Sequence, residues 1–203
     1  MNPFFRTPPI VKNLLIANAV VYLAVTLLPV AERFAVQYGA LYMIGTPRFH
    51  WWEFFTYMFL HGGFAHLFFN MYALWLFGRS LEYELGSKRF LSYYLICGIG
   101  AALIQLGIAW LAGDWGILLI GASGAVMGVL LAFGVMHPDE RLFVFPLPYP
   151  IKAKWFVIGY AALELLLGAT GLQSGVAHFA HIGGMLWGYM LLRYWKRKGK
   201  IFF

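Results

Sequence analysis

The chain has 203 residues, of which 62% are hydrophobic, 19% are aromatic and only 11% are charged, with a mean hydropathy of +0.72. A soluble domain is about half apolar and about a quarter charged, so this composition excludes an ordinary soluble protein and indicates a membrane protein. The single cysteine, Cys97, excludes an internal disulfide and a metal site built from several cysteines, and the net charge of +7 raises the question of an anionic partner.

Six apolar segments follow one another along the chain, each near the ~20 residues that a helix needs to cross a bilayer. They run from about Leu14 to Val30, Gly62 to Leu81, Leu91 to Leu111, Ile117 to Met136, Trp155 to Leu172 and Val176 to Tyr194. The first is longer than the ~7–15-residue core of a signal peptide, and no clear cleavage site follows it, so we interpret it as a span. With no internal repeat or linker, we expect one all-α membrane domain over residues 1–203, a bundle of six transmembrane helices.

The basic residues are concentrated on one side of the predicted spans. Thirteen of the fifteen fall on the side of the N-terminus, namely Arg6, Lys12, Arg79, Lys88, Arg89, Arg141, Lys152, Lys154, Arg193, Lys196, Arg197, Lys198 and Lys200. Only Arg33 and Arg48 fall on the other side. The positive-inside rule therefore predicts cytoplasmic termini in the cell membrane (the inner membrane of a Gram-negative cell), with a basic tail that anchors this topology and contacts anionic lipid of the bilayer rather than nucleic acid.

The longest outer connection, from about Ala31 to His61, is aromatic rather than polar. Its large rings are Phe34, Tyr38, Trp51, Trp52, Phe54 and Phe55. Because Trp and Tyr favour the headgroup level, we expect this loop to lie partly in the membrane interface. A simple aromatic belt and a functional role are both compatible with this composition.

Polar residues occur at one depth in three segments that all begin on the outer side. His66 lies about four residues into the second segment, Ser123 about six into the fourth and His181 about five into the sixth, which places all three roughly 6–9 Å below the outer surface of the bilayer core. Asn70 lies one turn deeper than His66 on the same helix face. Polar groups in a membrane normally face the bundle interior, so we expect these side chains to converge.

The chemistry that fits this set is acyl transfer. His181 would take the proton of Ser123 as general base, and the resulting oxyanion would be stabilised by the Asn70 amide, the His66 imidazole and the Ser123 backbone N–H. Glu164 lies within the fifth segment, where a protonated or interhelically bonded carboxyl is the simpler interpretation. The sequence therefore predicts a Ser–His dyad without an acid.

Each of these residues also has an alternative interpretation. Taken singly, Ser123 could be a small residue that lets helices pack closely, and His181 could be a buried polar group with its own hydrogen-bond partners. Asn70 could form a hydrogen bond that holds two helices together. The histidines His50, His61, His66, His178 and His181 leave zinc catalysis as a further alternative. No His-Glu-x-x-His motif is present, so we predict no metal site and no cofactor.

Two pairs of glycines have the small-xxx-small spacing that lets membrane helices approach closely. Gly124 and Gly128 lie in the fourth segment, and Gly184 and Gly188 lie in the sixth. If these two faces meet, Ser123 and His181 are drawn together.

Together these residues resemble the rhomboid intramembrane serine proteases over roughly Trp52 to Gly188. The His66–Asn70 stretch is similar to the family's H-x-x-x-N helix, and Gly121–Gly124 to its G-x-S-G nucleophile motif. The Ala180–Gly184 stretch, with Gly188, is similar to its A-H-x-x-G-x-x-x-G base helix. The stretch from Gly78 to Gly86, which includes Glu82, resembles the turn after the family's second helix.

The resemblance implies a six-helix bundle that cleaves transmembrane protein substrates near their outer ends without a cofactor. It assigns Ser123 and His181 to a catalytic dyad and His66 and Asn70 to the oxyanion site. The chain departs from the family pattern at Met127, where active members often carry a tyrosine that stacks on the catalytic histidine, and at Glu53, where the outer loop usually has an arginine. The rival hypothesis is a catalytically silent rhomboid-like protein that binds membrane helices.

Overall fold

The computed structural model describes residues 7–144, 148–171 and 175–201, and in these ranges the regular structure is mostly helical, as the sequence predicts. The helices are α1 (Pro9–Leu27), α2 (Pro29–Tyr38), α3 (Glu53–Thr56), α4 (Phe64–Ala73), α5 (Arg79–Leu85), α6 (Ser87–Ala112), α7 (Ser123–Met136), α8 (Ala153–Thr170) and α9 (His178–Arg197). Short antiparallel strand pairs join β1 (Leu41–Tyr42) to β2 (Leu118–Leu119) and β3 (Arg141–Leu142) to β4 (Ile151–Lys152). A 3₁₀ turn at Tyr57–Phe59 precedes α4.

Several helices have the properties of membrane spans. Among the described residues, α1, α6 and α8 are each long and apolar enough to cross a membrane, whereas α7 is apolar but shorter. Large apolar side chains on α1 and α8 point outwards, and Ile16, Val20 and Leu166 are each more than half exposed. Apolar surface of this extent on long helices is what lipid covers, so the fold is that of an integral membrane protein.

The second predicted segment forms a helix that continues past its predicted end. Helix α4 runs directly into a π-helical stretch at Leu74–Gly78, and α5 follows without a break as far as Leu85. The Arg79 guanidinium at the start of α5 lies 4.5 Å from the centre of the Trp75 ring, in a cation–π contact.

A buried carboxylate holds the start of α1. Glu82 of α5 is 2% exposed and accepts hydrogen bonds from the backbone N–H groups of Ile10 and Val11, at 2.9 and 2.7 Å. It also accepts one from the Ser87 hydroxyl at 2.6 Å. The first N–H groups of a helix have no intrahelical partner and favour a negative charge, so Glu82 ties α1 to the junction of α5 and α6.

The fourth predicted segment begins in an extended conformation, which corrects the prediction of a helix from about Ile117. Its first residues form β2, which pairs with β1, and Gly121 donates its N–H to the Tyr57 carbonyl at 2.9 Å. Gly121 has a φ of +120°, a conformation that favours glycine, and α7 starts two residues later. Apolar composition does not distinguish a buried strand from a buried helix, which is why the sequence placed this start too early.

Helices α6, α7 and α9 pack through glycines at the centre of the bundle. A Cβ atom on Gly184 of α9 would overlap the backbone carbonyl of Gly124 on α7. One on Gly128 would overlap Cys97 of α6, and Gly188 lies against the same cysteine. The prediction that the two glycine-spaced faces meet is confirmed, and they meet with α7 and α9 in backbone contact.

Glu53 holds together parts of the outer connection before α4. This side chain is fully buried and accepts a hydrogen bond from the Tyr42 N–H at 3.1 Å, while the His50 ring lies 3.1 Å from its other oxygen. The neighbouring Trp52 donates its indole N–H to the Tyr38 carbonyl at 2.9 Å. Glu53, which departs from the family pattern, therefore has its own set of partners in this chain.

Candidate active site

Ser123 is the first residue of α7, directly after the sharp turn at Gly121. At this position the backbone N–H groups of the first helical turn have no carbonyl partner within the helix, and the helix dipole favours negative charge. Ala122 is fully buried, and the hydroxyl of Ser123 points away from it towards α9. The turn therefore presents a hydroxyl next to free N–H donors, which is the arrangement that a developing oxyanion needs.

His181 lies three residues into α9 and faces Ser123. Its Nε2 atom is 2.8 Å from the Ser123 Oγ, and the imidazole is 8% exposed. The two residues are 58 positions apart in sequence, and the contact between Gly124 and Gly184 brings their helices close enough for it. A neutral imidazole at this distance can accept the hydroxyl proton, so the pair has the geometry of a nucleophile and its base.

Glu164 of α8 lies on the other side of His181, where the sequence predicts a Ser–His dyad without an acid. Its Oε2 atom is 2.9 Å from His181 Nδ1 and 2.6 Å from His178 Nδ1. The contact with His178 is a well-aligned hydrogen bond, whereas the contact with His181 is close but not collinear. The carboxylate is 4% exposed, and the two histidines are its partners.

The sequence contains a signal for this contact that depth along the chain alone did not reveal. Glu164 lies six residues before the end of α8, and His178 begins α9, so both lie near the same end of two consecutive helices. His178 and His181 are three apart and share one face of α9. Which face α8 turns towards them depends on packing, so the sequence predicted an interhelically bonded carboxyl at Glu164 without naming its partners, and the bond to His178 is such a contact.

His66 lies against the turn that carries Ser123. Its Nδ1 atom accepts a long hydrogen bond of 3.4 Å from the Gly62 N–H, and its Cε1 and Nε2 atoms are both 2.8 Å from the position a Cβ on Gly121 would occupy. A neutral imidazole that accepts through Nδ1 carries its proton on Nε2. His66 therefore directs a donor towards the Gly121–Ser123 turn, and glycine at position 121 is what leaves room for the ring.

Asn70 is buried one turn after His66, but its amide is partly engaged by its own helix. The Nδ2 group donates to the His66 carbonyl at 2.8 Å. An amide nitrogen has two protons, so one remains for another acceptor. The structure thus brings Ser123, His181 and His66 together. It places Asn70 one helical turn after His66, with one amide proton that is not used in the bond to the His66 carbonyl.

The five histidines of the metal alternative fall into three separate groups of side chains. His50 lies with Glu53, the rings of His61 and His66 lie 5.0 Å apart, and His178 and His181 lie with Glu164. The last group, two imidazoles and a carboxylate, is chemically a set that zinc accepts. Tetrahedral ligands about 2.1 Å from an ion would be about 3.4 Å apart, so the contacts of 2.6 and 2.9 Å favour direct pairing of the side chains.

A cleft of about 950 Å³ opens beside the site, between the α4–α5 helix and α8. Its wall includes Phe69 and Tyr72 from α4, Phe156 and Tyr160 from α8, and Met127 from α7. Met127 lies one turn after Ser123, so the cleft reaches the neighbourhood of the hydroxyl from the side of the bundle. This part of the lining is apolar and aromatic, which suits a membrane-embedded ligand, whereas the rest of the lining includes polar and charged residues, among them Arg79, Glu84 and Arg141.

The family model described as the Rhomboid domain matches residues 48–198. The chain is 34% identical over 154 residues to Rhomboid protease AarA of Providencia stuartii, which covers 70% of this chain and 54% of that protein. It is 35% identical over 138 residues to Rhomboid protein 1, mitochondrial, of Saccharomyces cerevisiae, a match that covers 65% of this chain and 38% of that protein. It is 29% identical over 190 residues to Putative rhomboid protease YdcA of Bacillus subtilis, a match that covers 93% of this chain and 89% of that protein. The chain thus spans about half of the first relative, less of the second and most of the third.

Proposed function

The chain belongs to the rhomboid family, and from this premise we propose that it is an intramembrane serine endopeptidase that cuts transmembrane proteins near the outer membrane face. The observation that carries the proposal is the 2.8 Å contact between Ser123 Oγ and His181 Nε2 at the start of two helices in backbone contact. Membership of the family and an embedded hydroxyl–imidazole pair favour acyl transfer over any reaction that needs a cofactor.

In the proposed reaction, His181 Nε2 takes the hydroxyl proton while Ser123 Oγ bonds to the carbonyl carbon of the scissile peptide. The negative charge that forms on the carbonyl oxygen is stabilised by the N–H groups at the start of α7, by His66 and by the spare Asn70 proton. The imidazolium then gives its proton to the leaving amine as the C–N bond breaks. A water molecule, deprotonated by the same imidazole, hydrolyses the acyl-enzyme ester and restores Ser123.

The substrate class follows from the site's depth and surroundings. A peptide bond within a helix has its carbonyl engaged in a hydrogen bond, so a transmembrane substrate must unwind locally before Ser123 can attack. Small or helix-weakening residues near the outer end of the substrate helix are therefore preferred. The cleft beside Met127, one helical turn from Ser123, supports an approach of the substrate from the side of the bundle.

The proposal is tested by comparing the wild-type protein with Ser123→Ala in liposomes that contain a transmembrane substrate. We expect Ser123→Ala to lower cleavage by at least ~10³-fold and to abolish labelling by a fluorophosphonate probe. Ser92→Ala is the matched control, because Ser92 is exposed on α6 and its hydroxyl donates to the Lys88 carbonyl. Labelling of Ser123→Ala, or a wild-type protein that neither labels nor cleaves, would overturn the proposal and favour a catalytically silent helix-binding protein.

A second arm of the experiment separates serine from metal chemistry. Cleavage by the wild-type protein is measured before and after dialysis against a chelator. We expect the same rate in both samples, because the proposed reaction uses only Ser123, His181 and the oxyanion donors. Loss of cleavage after chelation, with recovery on addition of zinc, would contradict the serine mechanism.

A further inference from the structure

The carboxylate of Glu164 lies in a place where an unpaired charge would be costly. Its side chain is 5% exposed and projects from the apolar helix α8 towards α9. Ionisable groups within membrane helices are rare and normally pair with one another. Here the partners are the two imidazoles on one face of α9, so α8 is bonded to α9 at the level of Ser123.

Glu164 and Ser123 lie beside opposite nitrogen atoms of the His181 ring. Glu164 Oε2 is 2.9 Å from His181 Nδ1, while the other ring nitrogen, Nε2, is 2.8 Å from the Ser123 hydroxyl. A carboxylate next to Nδ1 favours the tautomer with its proton on that atom, which leaves the lone pair of Nε2 facing the hydroxyl. The same negative charge stabilises the imidazolium once His181 has taken the proton.

His178 fixes the carboxylate in this position. The hydrogen bond between its Nδ1 and Glu164 Oε2 is 2.6 Å long, and both side chains are 5% exposed. The carboxylate also interacts with Tyr160, one turn earlier on α8. With these partners the carboxylate oxygen lies 2.9 Å from His181 Nδ1, although the two groups are not aligned as a hydrogen bond.

We propose that Glu164 is a positioning residue that converts the Ser123–His181 pair into a Ser–His–Glu triad, with His178 holding the carboxylate in place. This inference rests on the proposed function. The carboxylate acts through His181 rather than on the substrate, and it adds to the reaction described above a fixed tautomer before attack and a paired imidazolium afterwards.

The direct test uses Glu164→Gln and Glu164→Asp in the liposome cleavage assay. We expect Glu164→Gln to lower kcat by about 10²-fold or more with little change in KM, because the tautomer and the imidazolium lose their support while substrate binding is untouched. Glu164→Asp keeps the charge and should recover part of that loss. Glu82→Gln is the matched control, since Glu82 is equally buried but holds the start of α1, and we expect it to keep wild-type kcat.

A wild-type kcat in Glu164→Gln would overturn the inference and leave the Ser123–His181 pair acting alone. That outcome is distinct from failure of the proposed function, in which the wild-type protein itself does not cleave. A further measurement needs no variant: nitrogen NMR of histidine-labelled wild-type protein reports which ring nitrogen of His181 carries the proton. We expect Nδ1 to carry it, and a proton on Nε2 would contradict the inference even if Glu164→Gln did not fold.

Discussion

At the scale of single residues, the site depends on one glycine as much as on the serine. Gly121 has a φ of +120°, and the His66 ring occupies the space where its side chain would be. A side chain at this position would be strained and would also displace the ring. The nucleophile turn and the proposed oxyanion donor are therefore two consequences of one residue.

His181 is the residue whose removal best separates the proposed chemistry from the fold. We expect His181→Ala to lower cleavage by about 10²–10⁴-fold, because the Ser123 hydroxyl loses the base that accepts its proton. The variant should still insert into the membrane, since α7 and α9 are held together by glycine contacts rather than by this hydrogen bond. The measurement is cleavage in liposomes alongside membrane fractionation, and full activity would refute the assignment of His181 as base.

At the scale of the elements, the short strand pair and the glycine contacts position the start of α7. β2 is paired with β1, which holds the chain extended up to Gly121, and α9 then packs on the first turns of α7 through Gly184. Helix α7 has 14 residues and is about 21 Å long, which is less than the thickness of a bilayer core. A helix of this length leaves part of the core unspanned, which agrees with the predicted position of Ser123 below the outer surface, and the extended segment before it belongs to the candidate site.

Replacement of Gly184 by alanine tests the contact between α7 and α9. A Cβ on Gly184 would overlap the Gly124 carbonyl, so we expect Gly184→Ala to separate the helices, to lower the unfolding temperature and to reduce cleavage at least tenfold. Gly107→Ala is the matched control, because Gly107 lies within α6 and a Cβ there would meet nothing within 4 Å. The readouts are thermal unfolding in detergent and cleavage in liposomes. Wild-type stability and activity in Gly184→Ala would show that the contact is not needed.

At the scale of the whole molecule, the distribution of charge and apolar surface predicts how the protein sits in the membrane. The exposed apolar faces of α1 and α8 indicate lipid contact, and the bias of basic residues predicts cytoplasmic termini. On this orientation Ser123 would lie on the outer side, where water would reach the acyl-enzyme of the proposed reaction. The six-span topology is a prediction that labelling can test.

Thiol labelling with a membrane-impermeant reagent tests the orientation, and we expect little labelling of the protein before a cysteine is introduced. Cys97 is the single cysteine of the chain and is fully buried, so it should not react in the folded protein. We expect Pro47→Cys, in the outer connection, to react in intact cells, and Lys200→Cys, in the basic tail, to react only after permeabilisation. The reverse pattern would place Ser123 on the cytoplasmic side and contradict the proposed site of cleavage.

The sequence by itself determined the protein's class, its mostly helical fold and its candidate nucleophile and base. Composition determined the class, because the chain has too few charged residues to form the surface of a soluble protein. The motifs around Ser123 and His181 indicated the candidate nucleophile and base, and the glycine spacing predicted that their helices meet.

Tertiary structure decided the extended start before Ser123, the hydrogen bond that occupies part of Asn70, and the partnership of Glu164 with His178 and His181. Each depends on how an element is rotated about its axis or on which distant backbone it pairs with. Periodicity and depth along one segment do not contain that information. The free energy gained by covering an apolar stretch depends on the area covered and hardly on which neighbour covers it. Only the packed chain specifies which oxygen lies beside which imidazole.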